Sequence, residues 1–392
     1  MSRVIAGAAA MMLLPSSAAV AQLEPAATPL PDLFPDVQTA LVRNELSGPT
    51  VNEVVDSTAR FAHKEIGGRI SSGKRNGFFS SLEPASLETV RAGLDCAQLE
   101  NNLIVISGGD SQSTVGFARN FPNTAFVDIG QPQPCVDSDG RFDPSGTCEG
   151  ETFMIPANYM AVNFQVEDAA YLAGVIAAAA TRDDRLGIIS GKRDCEECNR
   201  YIQGFVQGAR SLKPDVEIEL AYIADDDEAH AFGDPTTAKT FTKAFIDVYQ
   251  PDVLLPIARG ASKGMIEAAC EAGILAVGTD IDMSNVHLDL ADCVLTSIIK
   301  DTEFAVRESI FRFSNGELLP TWDLGLQDGH VDVTDEWTRV PTLRGDAVER
   351  YASAREAIIT DRIASCPDAC GAPVSLGPDD DPVADDTPTD GG

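Results

Sequence analysis

Two stretches of the sequence carry side chains able to make or break a bond. Gly260-Ala261-Ser262-Lys263-Gly264 fits G-x-S-x-G, and its flanks predict a strand before it and a helix after it. That is the setting of a nucleophilic serine. A hydrolase built on Ser262 would need a later Asp and either His287 or His330, but no Ser–Asp–His order can be pinned to this chain. No HGGG-type oxyanion segment occurs, and Ser107-Gly108-Gly109 is a faint substitute. Glycine turns after parallel strands are common, so the motif alone does not make an enzyme. Cys195-Glu196-Glu197-Cys198 has the spacing of a redox dithiol, again between strand and helix. Asp194 and the two glutamates would disfavour a thiolate, and no Trp precedes Cys195, so a structural disulfide is the better reading. The four histidines, His63, His230, His287 and His330, are far apart in sequence. The acidic run from Asp225 to His230 reads as a solvated turn, and VDSDGRFDPSG lacks the spacing and closing Glu of a calcium loop. No metal and no cofactor are expected.

These motifs lie on a regular alternation. From Ala161, a short apolar segment ends at Phe164, and Glu167 and Asp168 then mark the first turn of a helix. AAYLAGVIAAAA is apolar on nearly every side, so a helix there must be buried. LGIISG, VEIELAYIA, DVLLPIA and ILAVGTD read as strands, separated by helices over Tyr201–Leu212, Thr236–Tyr249 and Gly264–Glu271. Strand–helix alternation predicts βαβ units and a parallel sheet covered on both faces. Ligands bind beyond the carboxyl ends of such strands. An earlier αβ layer precedes this one. Its strands are Val37–Arg43, GFFS, LIVIS and TAFVDIG, and its helices are Val51–Ile66, Ser86–Cys96 and Gln112–Asn120. GGRISSGKRNG reads as a loop. Later, VLTSIIK is a strand, Thr302–Asn315 is helical, TWDLGLQDGHVDV is an antiparallel tail strand or pair, and Asp346–Ile363 is helical.

Composition narrows the class. The chain has 392 residues with 61 acidic and 29 basic side chains, a net charge of −32. That excludes a nucleic-acid surface. Arg3, the apolar run Val4–Leu14 and the A-x-A site Ala19-Val20-Ala21 predict a signal peptide over 1–21. No cysteine lies near the cut, so a soluble periplasmic protein without a lipid anchor is expected. Nine cysteines suit an oxidising compartment. Cys135 and Cys148 bracket an insertion, Cys195 and Cys198 are close, and Cys270 and Cys293 adjoin neighbouring elements. Cys366 and Cys370 lie near the tail, and Cys96 is left over. Two α/β lobes are expected, 36–160 with 283–317 and 161–282 with 318–345. A C-terminal helix follows over 346–365, then a disordered acidic tail over 371–392.

YLAG after an acidic helix start, LGIISG, QGFVQGAR, FGDPTTAK, GMIEAACEAG, VGTDID and VLTSIIK occur in this order. As an ordered set they resemble the basic membrane protein family of ABC-transporter substrate-binding proteins, over about Val37 to Ile363. The best-known members bind purine nucleosides. The resemblance implies the periplasmic-binding-protein type I fold: two parallel-sheet α/β lobes joined by three crossovers. It also implies a monomer, with a nucleoside-like ligand and an inner-membrane ABC permease as partners. The ligand set it implies falls on Phe232 and Asp234 of the F-x-D-P loop, Gly260 of the glycine turn, Asp280 and Lys300. The first-loop aromatic position holds Val51, with Asn52 beside it. The acidic position after the third strand holds Gln112, with Asp110 two residues earlier. Arg259 stands where a small residue is usual, and would either stack on a ligand or select an anionic group. A ribose diol suits a carboxylate acceptor and an ammonium donor. Against this stand a core role for Phe232, a structural Asp280–Lys300 pair and a solvated Arg259.

Overall fold

The computed structural model describes residues 28–29, 38–43, 69–71, 103–107, 111–130, 155–318, 321–339, 343, 345–366, 370–374 and 376. In chain order these give β1 (Thr28–Pro29), β2 (Gln38–Arg43), β3 (Arg69–Ser71), β4 (Leu103–Ser107), α1 (Ser111–Asn120), β5 (Ala125–Ile129) and β6 (Tyr159–Phe164). Next come α2 (Val166–Ala180), β7 (Arg185–Ser190), α3 (Glu196–Leu212), β8 (Glu217–Tyr222), α4 (Glu228–Gly233), α5 (Pro235–Tyr249) and β9 (Val253–Ile257). A 3-10 turn, Arg259–Ala261, leads into α6 (Ser262–Ala272), β10 (Leu275–Asp280), α7 (Met283–Val286) and β11 (Val294–Lys300). The chain continues through α8 (Thr302–Ser314), β12 (Glu317–Leu318), β13 (Thr321–Leu324), β14 (Val331–Val333) and α9 (Gly345–Ile359).

Two six-stranded sheets result. One runs β13-β6-β5-β4-β2-β3, the other β14-β11-β10-β9-β7-β8. Both place their first five strands in the order 2-1-3-4-5 and add a late strand at the edge. Pairing is parallel throughout except at β14, which runs antiparallel to β11. The central strands are apolar without interruption because helices cover both faces: every residue of β5 and β9 is buried. This is the α/β two-lobe architecture expected.

Strand pairing draws the lobe boundaries differently from the sequence. β6 reaches Phe164 and belongs wholly to the first sheet. β11 was expected in the first lobe but pairs with β10 in the second. TWDLGLQDGHVDV supplies no antiparallel hairpin; β13 joins the first sheet beside β6 and β14 joins the second beside β11. Arg69–Ser71, expected as loop, is a strand on β2. GFFS, the helices over 51–66 and 86–96, and the 135–148 insertion lie outside the described residues, as does Cys96. Gly371 and Ala372, expected in the disordered tail, are held to α3: Gly371 N–H donates to Gln203 Oε1 at 2.8 Å, and Gln203 Nε2 donates to the Ala372 carbonyl at 3.0 Å.

Three links join the sheets. The first is Gln165 alone, between β6 and α2. The second is Asp301 alone, between β11 and α8. Both are helix N-caps with nearly the same backbone, φ −78°, ψ 68° and φ −78°, ψ 66°. The third is 325–330, between β13 and β14. Its two ends are bonded to the other two links: Gln165 N–H donates to the carbonyl of Leu324, which ends β13, at 2.8 Å, and Asp301 N–H to the His330 carbonyl at 2.8 Å.

α2 is buried on almost all sides, as its composition requires. Its packing on α3 is unusually close because glycines stand at the contact. A Cβ at Gly208 would fall on the Tyr171 carbonyl, one at Gly204 on that of Glu167, and one at Gly174 on that of Phe205. Burial also strains one acid at the start of α2. Asp168 is pushed up to about 6, chiefly by burial, although Ser365 Oγ donates to it. A carboxyl whose folded pKa exceeds its unfolded value, near 4, loses stability as pH rises from about 4 to 6. Asp168→Asn is therefore expected to raise stability at pH 7.5 by about 1–2 kcal/mol, the full shift being discounted for partial exposure. The gain should vanish near pH 4 when urea melts of both proteins are compared across pH.

Candidate ligand site

The site is built at the carboxyl ends of the second sheet. β10 ends at Asp280, which adopts φ +71°. β11, its parallel neighbour, ends at Lys300. Lys300 Nζ lies 2.7 Å from Asp280 Oδ1 and 2.8 Å from Glu197 Oε1. The pair is largely withdrawn from water, the side chains being 12% and 22% exposed. Burial drives the Asp280 carboxyl up, but the Lys300 ammonium, hydrogen bonds from Lys300 and Tyr201, and the Arg259 charge outweigh it, leaving it below the usual range. Burial likewise opposes the Lys300 charge, yet Asp280 and Glu197 raise it above an ordinary lysine. Both directions describe an ion pair that stays ionised at neutral pH. Tyr201 Oη donates to Asp280 Oδ1 at 3.0 Å. Lys300 Nζ also stands 5.8 Å above the ring of Phe164, the last residue of a first-sheet strand.

A second set sits where the strand order reverses, between β7 and β9. Gly191 follows β7, and its N–H donates to the Ile257 carbonyl at 2.9 Å. A Cβ at Gly191 would meet the Phe232 ring, its Cδ1 at 2.7 Å and Cζ at 2.8 Å. Phe232 itself is 2% exposed. The Arg259 guanidinium carbon lies 4.7 Å from the Phe232 ring centre. Arg259 adopts φ +47°, a left-handed conformation that costs an arginine energy. Gly260 occupies the middle of the 3-10 turn that follows. A cavity of about 330 Å³ opens beside Asp280 and Lys300, with Ile281, Thr302 and His330 among its walls.

Among the sequence-chosen residues, Asp280 pairs with Lys300 and Phe232 with Arg259, and the Arg259 charge acts on Asp280. Asp234 has a structural role. It caps α5, accepting from Thr236 N–H and Thr237 N–H at 3.0 Å and from Thr237 Oγ1 at 2.6 Å. An Asp before a Pro that opens a helix is itself a capping signal. Val51, Asn52 and Asp110 lie outside the described residues, as does the side chain of Gln112. Glu197 and Tyr201 were missed because C-E-E-C drew attention to its cysteines. The signal for Glu197 was present: two acids, Glu196 and Glu197, in the first turn of a helix that begins beside strand ends. Arg200 on the same helix ties the lobes, donating to Glu167 Oε1 at 2.9 Å and to Asn163 Oδ1 of β6 at 2.8 Å.

Ser262 is not placed for catalysis. It is 2% exposed, and its Oγ accepts from Ala258 N–H at 2.9 Å, closing the turn between β9 and α6. Cys195 and Cys198 lie at disulfide distance, with Cα atoms 5.2 Å apart. So do Cys270 and Cys293, at 5.4 Å, and Cys366 and Cys370, at 5.5 Å. Cys135 and Cys148 are outside the described residues. Among those residues no cluster of His, Cys, Asp and Glu could hold a metal, and no helix is long and apolar enough to cross a membrane.

A two-lobe α/β fold with charged groups at the strand ends is the architecture of type I periplasmic binding proteins. Residues 79–365 match the family model of PnrA-like ABC transporter substrate-binding proteins, and the chain belongs to that family. The family is one of substrate-binding proteins, not of enzymes. The chain is 32% identical over 210 residues to the ABC transporter nucleoside-binding protein BmpA of Lactococcus lactis subsp. cremoris, a match covering 47% of this chain and 58% of that protein. It is 31% identical over 195 residues to Basic membrane protein B of Borreliella afzelii, covering 47% and 53%. The chain thus spans little more than half the length of these curated relatives. Among solved structures, a solute-binding protein of an ABC transporter system from Aeropyrum pernix K1 superposes with a TM-score of 0.64 at 20% identity, over 83% of this chain and 92% of that one. It shares the fold.

Proposed function

We propose that the protein is an exported, monomeric solute-binding protein that captures a purine nucleoside, or a related heterocycle, between its lobes and delivers it to an ABC permease. The observation that carries this reading is the Asp280–Lys300 pair at the cavity beside the lobe links. A carboxylate that accepts and an ammonium that donates match the vicinal hydroxyls of a ribose. A cavity of about 330 Å³ is within the range of small-ligand sites. The name of the Lactococcus relative points to the same ligand class. Three cysteine pairs at disulfide distance suit export to an oxidising compartment.

No bond is made or broken in this scheme. Open and closed states exchange, and a ligand that touches both lobes favours the closed one. The test is thermal unfolding of the oxidised protein against purine nucleosides, free bases, pyrimidine nucleosides and riboflavin. At 100 times its dissociation constant, a ligand adds about 2.7 kcal/mol, a shift of several degrees. A shift with purine nucleosides supports the proposal. No shift with any compound of the panel removes it.

A further inference from the structure

The Asp280–Lys300 pair is itself held by one helix. Tyr201 follows Glu197 by four residues, so both lie on one face of α3. From that face Glu197 Oε1 accepts from Lys300 Nζ at 2.8 Å, and Tyr201 Oη donates to Asp280 Oδ1 at 3.0 Å. Asn199 and Gln203 lie about 200° round the helix. They bond to Gly371 and Ala372, Asn199 Nδ2 donating to the Gly371 carbonyl at 3.2 Å. α3 is therefore held from behind and grips the pair in front. Its first turn is spanned by Cys195 and Cys198, at disulfide distance, with only Glu196 and Glu197 between them. Cys195 is also the N-cap, its sulfur accepting from Cys198 N–H at 3.2 Å. The two acids part company there. Glu196 lies against Gly371, where an added Cβ would meet its Cγ at 2.7 Å, and Glu197 reaches Lys300.

We infer that Glu197 is a positioning residue of the ligand site, acting through Lys300, and that a Cys195–Cys198 bond keeps it in place. This rests on the reading that a ribose diol meets the Asp280–Lys300 pair. An ammonium on a flexible four-carbon stem carries three N–H donors. Among the described residues, Asp280 and Glu197 take two of them, one from the end of β10 and one from the start of α3. Two anchors fix the ammonium and so direct the N–H that remains. Without Glu197 the ammonium is free to turn about Asp280. Ordering it then falls to the ligand, which weakens binding by about two- to tenfold. Without the disulfide the first turn can unwind or slip by one residue, and either takes Glu197 off Lys300. Glu197 itself touches no ligand, so its effect is confined to what Lys300 contacts.

The experiment is calorimetric titration of the oxidised protein with inosine, adenosine and their 2′,3′-dideoxy analogues, for wild type, Glu197→Ala and the double variant Cys195→Ser/Cys198→Ser. Alanine favours a helix and serine is a good N-cap, so both variants are expected to fold, which urea melts check. Wild type should bind a nucleoside at least about tenfold more tightly than its dideoxy analogue. Glu197→Ala should weaken nucleoside binding by about fivefold and the cysteine variant by about threefold, while the dideoxy analogues stay within about twofold of wild type. A general loosening of the lobe would weaken both forms alike. Nucleoside affinity unchanged in either variant, or an equal loss for both forms, overturns the inference and spares the site. Failure of wild type to bind either nucleoside, or equal affinity for nucleoside and analogue, overturns the diol reading, and the inference with it.

Discussion

Asp280→Ala is expected to weaken ligand binding by more than tenfold and to leave a folded protein. The carboxylate accepts from Lys300 and Tyr201, and in the proposed complex it also accepts from the ligand. Its removal takes away that acceptor and one of the two counter-charges of a buried ammonium. Stranding a buried charge completely costs about 3–5 kcal/mol. Here Glu197 stays at 2.8 Å from Lys300 Nζ, so a loss of about 2 kcal/mol is expected. Alanine at φ +71° adds backbone strain, so Asp280→Asn, whose side chain tolerates that conformation, is the control. Titration calorimetry reads the affinity, and urea melts read the stability. Affinity equal to wild type in both variants would remove Asp280 from the site. The pH dependence has a definite sign. The folded carboxyl lies below its unfolded value, so its contribution is complete above about pH 4 and is lost as pH falls below that. The acid limb of binding should therefore lie below about pH 4, far from the working range.

Gly208→Ala is expected to be among the most damaging single methyls in the second lobe. An added Cβ at 208 would fall on the Tyr171 carbonyl of α2. That obstacle is backbone, which cannot rotate aside as a side chain can. α2 is held in turn by α3, β11, β14 and α9, so it has little room to retreat. Overpacking of this kind costs about 1–3 kcal/mol, and more where the neighbour is fixed. A loss of at least about 3 kcal/mol is expected, measured by urea melts with circular dichroism. Gly273→Ala is the comparison. It meets nothing within 4 Å and has only its φ of +72° to penalise it, so about 1 kcal/mol is expected. Equal losses at the two positions would mean that α2 and α3 separate easily.

Much of the fold was legible because parallel strands buried on both faces announce themselves as unbroken apolar runs. LGIISG, DVLLPIA and ILAVGTD became β7, β9 and β10 almost residue for residue. The partners of VLTSIIK and of the TWDLGLQDGHVDV stretch were not legible. Local periodicity says that a segment is a strand, not which sheet it joins: VLTSIIK joins its chain neighbours β10 and β14, whereas the TWDL strand pairs with one more than 100 positions back, Trp322 with Val162. The site divided in the same way. Asp280 and Lys300 end neighbouring parallel strands, but only the family resemblance put them in one site, because VLTSIIK was expected in the other lobe. That Glu197 would share the ammonium depends on how α3 is set on the sheet. That Arg259 would cover Phe232 depends on a backbone angle that no arginine announces.

The three links govern how the molecule can move. Two are single residues, and a residue spans at most about 3.6 Å. The third is laced to both by main-chain hydrogen bonds, at Leu324 and at His330. Three short tethers fastened side by side resist shear, stretch and twist, and yield only to bending about the line through them. The lobes thus behave as the leaves of a door with one degree of freedom. An opening confined to that line would retrace one arc and bring Lys300 and Phe164 back to the same registration. A ligand then has a single closing coordinate to bias, and little of its binding free energy goes to aligning the two halves.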